Sequence, residues 1–291
     1  MRIIGLLFFM IYIHTNAQNH KFINIDTLEA YLEKTIEKRD TVVFSTYSEN
    51  WNNKVFNPYK NHTTEFPFKL SFTDSTYASP ILKKNVVTSR FGWRWGRAHK
   101  GIDIDLITGD KVVALLDGKV RYVGYHSGHG RSIIIRHANG LETVYAHLSK
   151  YSVKPNDIVK KGQVIGKGGN TGNSRGSHIH IETIYKGNYI NPEYLFSFDE
   201  KKEIKKNEFW VTKSWVTPYL HNSRRKSNLV YYDSKEAAEE SDDFKSKIHV
   251  VKRGDTLYDI SRRYNVSIYR ICKTNSIRKN STLKIGQQLV L

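Results

Sequence analysis

At 291 residues the chain is long enough for two modest domains with connecting segments. Its single cysteine, Cys272, excludes an intrachain disulfide, so the fold must be stable without one. Lys and Arg number 46 against 28 Asp and Glu, and the formal charge of +18 calls for an anionic partner, although part of it serves only to solvate the surface. No zinc-knuckle spacing, RNP-like aromatic motif or Arg-rich helix is present, so nucleic acid is not the expected partner.

Residues 1–17 read as a secretory signal. Arg2 is the basic flank, Ile3 to Ile13 is an almost unbroken apolar run, and Thr15-Asn16-Ala17 ends on a small residue suited to cleavage. The run is too short for a permanent membrane span. No Cys lies just after it to accept a lipid, and no second apolar stretch is long enough to span a bilayer. The expectation is an exported protein of the periplasm, cell envelope or extracellular space, where an anionic wall polymer or membrane surface suits its charge. Residues 18–83 form an N-terminal region. Asp26 to Leu32 predicts a short amphipathic helix with a capping residue at its start. Ser45 to Tyr77 is rich in Asn, Thr and aromatics without sustained periodicity, and two roles stay open: packing on the following domain, or an inhibitory pro-segment.

From Val86 to Leu195 short β-type runs alternate with Gly turns. Val112 to Leu115 leads through Asp117-Gly118, a hairpin-type turn, to Val120 to Val123. Ser132 to Arg136 is closed by Asn139-Gly140 before Glu142 to Ala146. Strand–turn–strand units without helical periodicity predict an antiparallel β core. Two stretches carry chemistry. Ile102, Ile104 and Leu106 alternate with Gly101, Asp103 and Asp105, and His99 has the parity of Asp103. In Ser177-His178-Ile179-His180-Ile181-Glu182 the two Ile point one way and His178, His180 and Glu182 the other. A lone strand histidine is ordinarily a hydrogen-bonded structural residue, but two such constellations, each beside a Gly, make coincidence a poor account. Two strands offering imidazole and carboxylate can supply three ligands and leave a fourth position free, as in a catalytic rather than a structural zinc site.

Residues 197–246 read as a charged linker, with Lys201-Lys202, Lys205-Lys206, Arg224-Arg225-Lys226 and Glu239-Glu240, and with a short element near Phe209 to Leu220. In residues 247–291 a strand-like Val250-Val251 precedes Gly254-Asp255-Thr256-Leu257, and Thr256 with Asp259 is a weak capping-box pattern. Leu257, Ile260, Ser261 and Tyr264 follow helical spacing, as do Ile268, Ile271 and Cys272. Leu283 to Val290 closes the chain, which predicts a βααβ unit.

Ser89-Arg90-Phe91-Gly92-Trp93-Arg94, His99-x-Gly101-x-Asp103, Tyr145-Ala146-His147-Leu148-Ser149, Gly162-Gln163-x-Ile165-Gly166, Thr171-Gly172-Asn173 and His178-x-His180-x-Glu182 occur in that order. Together they resemble the M23 (lysostaphin/LytM-type) zinc metallopeptidases over about Lys84 to Phe196. The resemblance implies a β-rich catalytic domain over residues 84–196. It also implies one Zn²⁺ held by His99, Asp103 and His180, with His147 and His178 as the unligated catalytic histidines. Glu182 is read as structural or as a support to a ligand, because the helical His-Glu-x-x-His pattern of other zinc peptidases is absent. Asp105 is read as a strand-end or supporting group, and His137 as structural at its turn. His126 and His129 sit in a Gly-rich turn where the family more often has an aromatic at the position of His129. Trp93 and Trp95 either line a groove or fill a sheet edge.

The C-terminal unit is similar to LysM modules, which bind N-acetylglucosamine-containing glycans. That similarity implies a shallow groove near Gly254, Asp255 and Thr256, with Ile277 on the opposite loop. The combined expectation is an exported zinc endopeptidase hydrolysing peptide cross-links or stem peptides of bacterial peptidoglycan, with LysM holding it on glycan. Two alternatives stand beside it. One is a catalytically silent scaffold that activates other wall hydrolases, which is expected to lack some ligands. The other is an N-acetylmuramoyl-peptide amidase, which would use a similar metal.

Overall fold

The computed structural model describes residues 49–291 except 61, 96, 242–247 and 265. The expected signal and the helix at Asp26 to Leu32 lie outside the described residues. Among those described, no helix is long and apolar enough to cross a membrane.

The strands in chain order are β1 (Phe68–Ser71), β2 (Val87–Ser89), β3 (Gly92–Arg94), β4 (Arg97–His99), β5 (Ile102–Asp105), β6 (Lys111–Val113), β7 (Gly118–His126), β8 (Gly130–Arg136) and β9 (Leu141–Leu148). They continue as β10 (Lys150–Tyr151), β11 (Ile158–Val159), β12 (Val164–Lys167), β13 (His178–Tyr185), β14 (Asn188–Ile190) and β15 (Glu208–Val211). Helices α1 (Pro192–Leu195) and α2 (Lys235–Glu240) are short. β16 (Ile248–Val250), α3 (Leu257–Tyr264), α4 (Ile268–Thr274) and β17 (Gln288–Val290) form the C-terminal unit in the expected βααβ order.

The fold is mainly antiparallel β. The main sheet runs β11-β7-β8-β9-β13-β5-β2, with β14 beside β13. Period-2 alternation gives it two faces. Ile102, Ile104, Ile133, Ile135, Ile179 and Ile181 are fully buried on one face and share a core with Val112 and Ile165 of a smaller sheet, β10-β12-β6. Each such side chain contributes about 1.5–3 kcal/mol on burial. Tyr122, Ile134, Val144, Ala146 and Ile184 line the opposite face, beneath Phe56.

Asn139-Gly140 does turn β8 into β9, with Arg136 opposite Glu142. Asp117-Gly118 does not make a hairpin of its flanking runs: β6 pairs with β12, whereas β7 pairs with β8 and β11. A turn dipeptide fixes a local reversal but not which sheet the next strand joins.

The stretch read as a charged linker is partly core. β15 pairs with β1, and Ile204, Phe209, Val211 and Trp215 are buried in the main cluster, Trp215 stacked on Tyr194 at 3.9 Å. Four apolar residues among many Lys and Glu were too sparse to outweigh composition. The described part of the N-terminal region, from residue 49 on, is equally built in. Leu70, Phe72 and Tyr77 belong to the same core. The Arg121 guanidinium, wholly buried, donates to Glu142 at 2.5 and 3.0 Å and to the carbonyls of Asn52, Val55 and Phe56 at 2.7–2.9 Å. Those bonds occupy all five guanidinium donors.

His137 is structural, as expected at its turn. It is buried, with Nδ1–H donating to the Asp117 carbonyl (2.8 Å) and Nε2 against the Thr143 hydroxyl (2.8 Å). Burial pushes its pKa down from 6.5 to about 4, against the raising influence of the Asp117 bond. Between those two values the unfolded chain binds the extra proton, so stability is full above pH 6.5 and falls as pH drops towards 4. At about 1.4 kcal/mol per pKa unit the loss approaches roughly 3 kcal/mol. Urea unfolding in EDTA should therefore show the stability difference between wild type and His137→Gln shrinking by about that amount between pH 7 and 4; a difference independent of pH would contradict it.

Candidate metal centre

The register of β13 builds the site. His180 lies opposite Asp103 of β5 on one side and Ala146 of β9 on the other, while His178 lies opposite Asp105 and Glu182 opposite Val144. Residues directly across an antiparallel pair share a face. His178, His180 and Asp103 therefore stand together, and Ile179 and Ile181 go to the core, as the alternation predicts.

His99 arrives differently from the sequence reading. It ends β4, which pairs with β3, and the chain turns at Lys100-Gly101 before β5 begins. The two donor side chains therefore come from different strands. Gly101 makes this approach possible: a Cβ there would lie 2.3 Å from the Ile181 carbonyl oxygen and 2.8 Å from Cε1 of His180.

Three donor atoms converge. His99 Nε2 is 3.0 Å from Asp103 Oδ1 and 3.1 Å from His180 Nδ1, and His180 Nδ1 is 2.7 Å from Asp103 Oδ1. All three residues are buried, at 4–6% exposure. The remaining polar atoms are occupied. His99 Nδ1–H donates to the Arg90 carbonyl (2.6 Å), His180 Nε2–H donates to Glu182 Oε1 (3.2 Å), and Arg94 donates to Asp103 Oδ2 (2.9 Å) while also bonding Ser89 Oγ (2.6 Å). In the neutral imidazoles those outer bonds select the tautomers that turn both lone pairs toward Asp103. Two imidazole nitrogens and one carboxylate oxygen with a backed outer layer are a donor set that fits zinc. Burial would raise Asp103, but the close His180 and His99 imidazoles hold its carboxyl far below the ordinary carboxylate range. Burial also disfavours charge on His180, yet Asp103 and Glu182 outweigh it and push the imidazole up to about 9. A cation held among these atoms would take the place of that proton.

His147 reaches the site through a defect in the pleat. Ala146 already shares the face of His180, so strict alternation would send His147 into the core. Instead the β8–β9 register shifts between Arg131 and Ile133, and His147 has φ +62. Such a bulge re-aims a side chain, at a cost of about 1–3 kcal/mol for a non-glycine left-handed residue. Its Nδ1–H donates to the Thr171 carbonyl (2.7 Å), and His178 Nδ1–H donates to the Gly176 carbonyl (2.8 Å). The two rings lie 4.7 Å apart, leaving both Nε2 atoms free of those bonds, and His178 Nε2 is 3.6 Å from Asp103 Oδ1. Burial, then His180 and His178, push His147 down to about 3, so it is neutral at pH 7.

A cleft of about 420 Å³, lined by Trp95, Asp105 and His178, and a second of about 230 Å³, lined by His99, His129, His180 and Glu182, share Arg94, Arg97, His147 and Asn173. The groove thus crosses the donor cluster. Among the described residues of 49–77, none hydrogen-bonds His99, Asp103 or His180 through its side chain. Sequence reasoning gave no role to Arg94 or to the Thr171 carbonyl, although both lie in the ordered motifs. Trp95 is exposed on the cleft, while Trp93 packs on Tyr219 at 4.6 Å.

Residues 97–192 match the profile of peptidase family M23, and residues 249–291 match that of the LysM domain. The chain carries an M23 peptidase domain and a LysM domain. Its M23 part is 42% identical over 113 residues to the DD-carboxypeptidase/endopeptidase Mpg of Neisseria meningitidis serogroup B, covering 36% of this chain and 26% of that one. It is 40% identical over 107 residues to the murein hydrolase activator NlpD of Salmonella dublin, covering 36% and 28%. The chain thus spans about a quarter of the length of these relatives. Among solved structures, the catalytic domain of lysostaphin from Staphylococcus simulans aligns at 31% identity and TM-score 0.36, over 38% of this chain and 90% of that one.

The LysM domain has its own core of Val251, Leu257, Ile260, Ile271, Leu289 and Leu291. Asp255 is tied into its turn by His249 Nε2–H (2.7 Å) and the Lys252 N–H (2.7 Å), and Thr256 Oγ1 accepts the Asp259 N–H (3.1 Å), the expected cap of α3. Their side chains are thus occupied within the turn. Gly254 has φ +89 and open space around it. Ile277 lines a cavity of about 680 Å³ with Trp93, Asn222 and Arg224, which Gly254, Asp255 and Thr256 do not line.

The crowding at Gly101 gives a direct test. Gly101→Ala should weaken zinc binding by at least about tenfold while circular dichroism stays that of the parent, because the added methyl pushes on the Ile181 backbone and on the His180 ring. Unchanged zinc affinity by chelator competition would refute the close-approach argument.

Proposed function

We propose that this chain is an exported zinc endopeptidase that cuts peptide cross-links or stem peptides of bacterial peptidoglycan, with its LysM domain holding it on the glycan. The observation that carries the reading is the convergence of His99 Nε2, Asp103 Oδ1 and His180 Nδ1 within 3.1 Å of one another beside two further imidazoles. Zinc held by His99, Asp103 and His180 supplies a Lewis acid that polarises a peptide carbonyl and acidifies water. His147 and His178 then do the proton work. Each has Nδ1–H fixed on a backbone carbonyl, so each presents an Nε2 lone pair to the cleft. One can accept the proton of the attacking water, and an imidazolium so formed can stabilise the tetrahedral oxyanion or protonate the leaving amine. Arg94 holds the Asp103 carboxylate in place.

The full set of donors favours an enzyme over a silent activator, even though one similar relative is named an activator. Export is supported by the apolar run at Ile3 to Ile13. Mass spectrometry of products from purified peptidoglycan separates the endopeptidase from an amidase: the first frees an amine within the peptide, the second releases stems without muramic acid.

Substitutions divide the two sets of residues. His99→Ala, Asp103→Ala and His180→Ala should each release zinc and abolish hydrolysis. His147→Ala and His178→Ala should keep zinc and lose rate by about 10²–10⁴-fold. Full zinc content in all three ligand variants would refute the first assignment, and normal turnover in both histidine variants the second.

Removing residues 247–291, which carry their own core, should spare cleavage of soluble peptides and weaken sedimentation with insoluble peptidoglycan. Diffuse attraction from the +18 charge fades as the Debye length falls from about 10 Å at 0.1 M salt to about 3 Å at 1 M, whereas glycan hydrogen bonds persist. Equal binding of both proteins at 1 M salt would remove the LysM role.

A further inference from the structure

A chain of contacts leads from the N-terminal segment to the back of the metal centre. Phe56 stacks on His126, with centroids 4.1 Å apart and planes at 25°, and packs on His129 at 4.7 Å. His126 Nδ1 meets His129 Nδ1 at 3.0 Å. His129 Nε2 meets Glu182 Oε1 at 3.0 Å, and the same oxygen meets His180 Nε2 at 3.2 Å.

Donor and acceptor counting fixes the protons that face Glu182. Glu182 Oε1 lies between the two ring nitrogens, and a carboxylate in that position accepts from both. His129 and His180 must then each donate from Nε2. His129 Nδ1 is then the atom that His126 Nδ1 engages. His180 Nδ1 is left as the atom facing Asp103. Glu182 is 2% exposed, and its Oε2 has no hydrogen-bond partner among the described residues. Its carboxylate is therefore held through Oε1 alone, by two N–H groups, one of them from His129.

We infer that His129 is a positioning residue for the ligand His180, acting through Glu182 and held in place by His126 and Phe56. The N-terminal segment, fastened by the Arg121 guanidinium through the carbonyls of Asn52, Val55 and Phe56, is then a support of the centre rather than a removable inhibitor. An aromatic carbocycle at position 129 fills the same space and supplies no N–H, so this chain depends on a bond that such a residue cannot make. The inference rests on the reading of His180 as a zinc ligand.

The experiment measures zinc dissociation constants by competition with a chromophoric chelator, on full-length protein, together with the visible absorption of the cobalt-substituted form. Wild type should bind one zinc per chain and His180→Ala none; failure of that pair concerns the metal reading alone. His129→Phe should weaken zinc by about 10–100-fold and shift the cobalt bands, as removal of a ligand's hydrogen-bonded support does. His129→Gln, whose amide N–H can reach Glu182, should recover most of the affinity. Phe56→Leu should weaken zinc in the wild-type background and add little in the His129→Phe background, because both act on one element. The thermal midpoints of the metal-free variants report the fold separately. Wild-type zinc affinity in His129→Phe overturns the proposal, as does multiplication of the two single effects in the double variant.

Discussion

The whole centre depends on one pairing register. β13 is flanked by β5 and β9, and with His180 opposite Asp103 and Ala146 a carboxylate and a small side chain flank the central imidazole. A slip by one residue would exchange the faces, putting Ile179 and Ile181 at the groove and three polar side chains into the core. Burial of those isoleucines therefore holds the donor side chains in place. The hydrophobic alternation and the donor positions are the same constraint seen from the two faces of one sheet.

Burying so many charges needs compensation. An unpaired ion in this interior costs several kcal/mol, and the fold meets that cost by linking charges into closed sets. Asp103 accepts from Arg94 and faces the inner nitrogens of His99 and His180, and Glu182 accepts from His129 and His180. On the same face Glu142 accepts from Arg121 and Arg136. Arg121 extends this logic beyond the domain suggested by sequence. Its remaining N–H groups are filled only by carbonyls of residues 52–56, and each buried donor left bare would cost about 1–3 kcal/mol. The segment before the family-like region is thus part of the fold for an electrostatic reason.

Much of this was legible in the chain. Period-2 alternation placed His178, His180 and Glu182 on one face and the isoleucines on the other, and the βααβ order of the C-terminal unit followed from its helical spacings. What escaped was set by departures from regularity. His147 has the wrong parity for the site and gets there through a bulge with positive φ, which no alternation rule foresees. His99 and Asp103 share parity but sit on two strands, because Gly101 lets the chain fold back on His180. The supposed linker yielded β15 and Trp215 to the core because pairing with β1 is a contact 140 residues away in sequence, invisible to a local reading of charge. Motif order compensated where local physics could not, since it identified His147 without explaining it.

The division of the chain into a rigid centre and a separate βααβ unit has a kinetic rationale under the proposed function. The metal centre is built on strands and backed by an outer layer of hydrogen bonds, which suits chemistry that tolerates little misplacement. The LysM domain buries its own apolar residues and ties Asp255 and Thr256 into its turn, so its surface can vary without disturbing the cleft. On an insoluble polymer, retention by a tether raises local concentration at the cleft without tightening the grip on any one bond. Tight uniform binding in the cleft would lower KM without raising kcat. Affinity placed in a distinct unit leaves the groove over His99, Asp103 and His180 free to favour the transition state, and leaves the product free to depart.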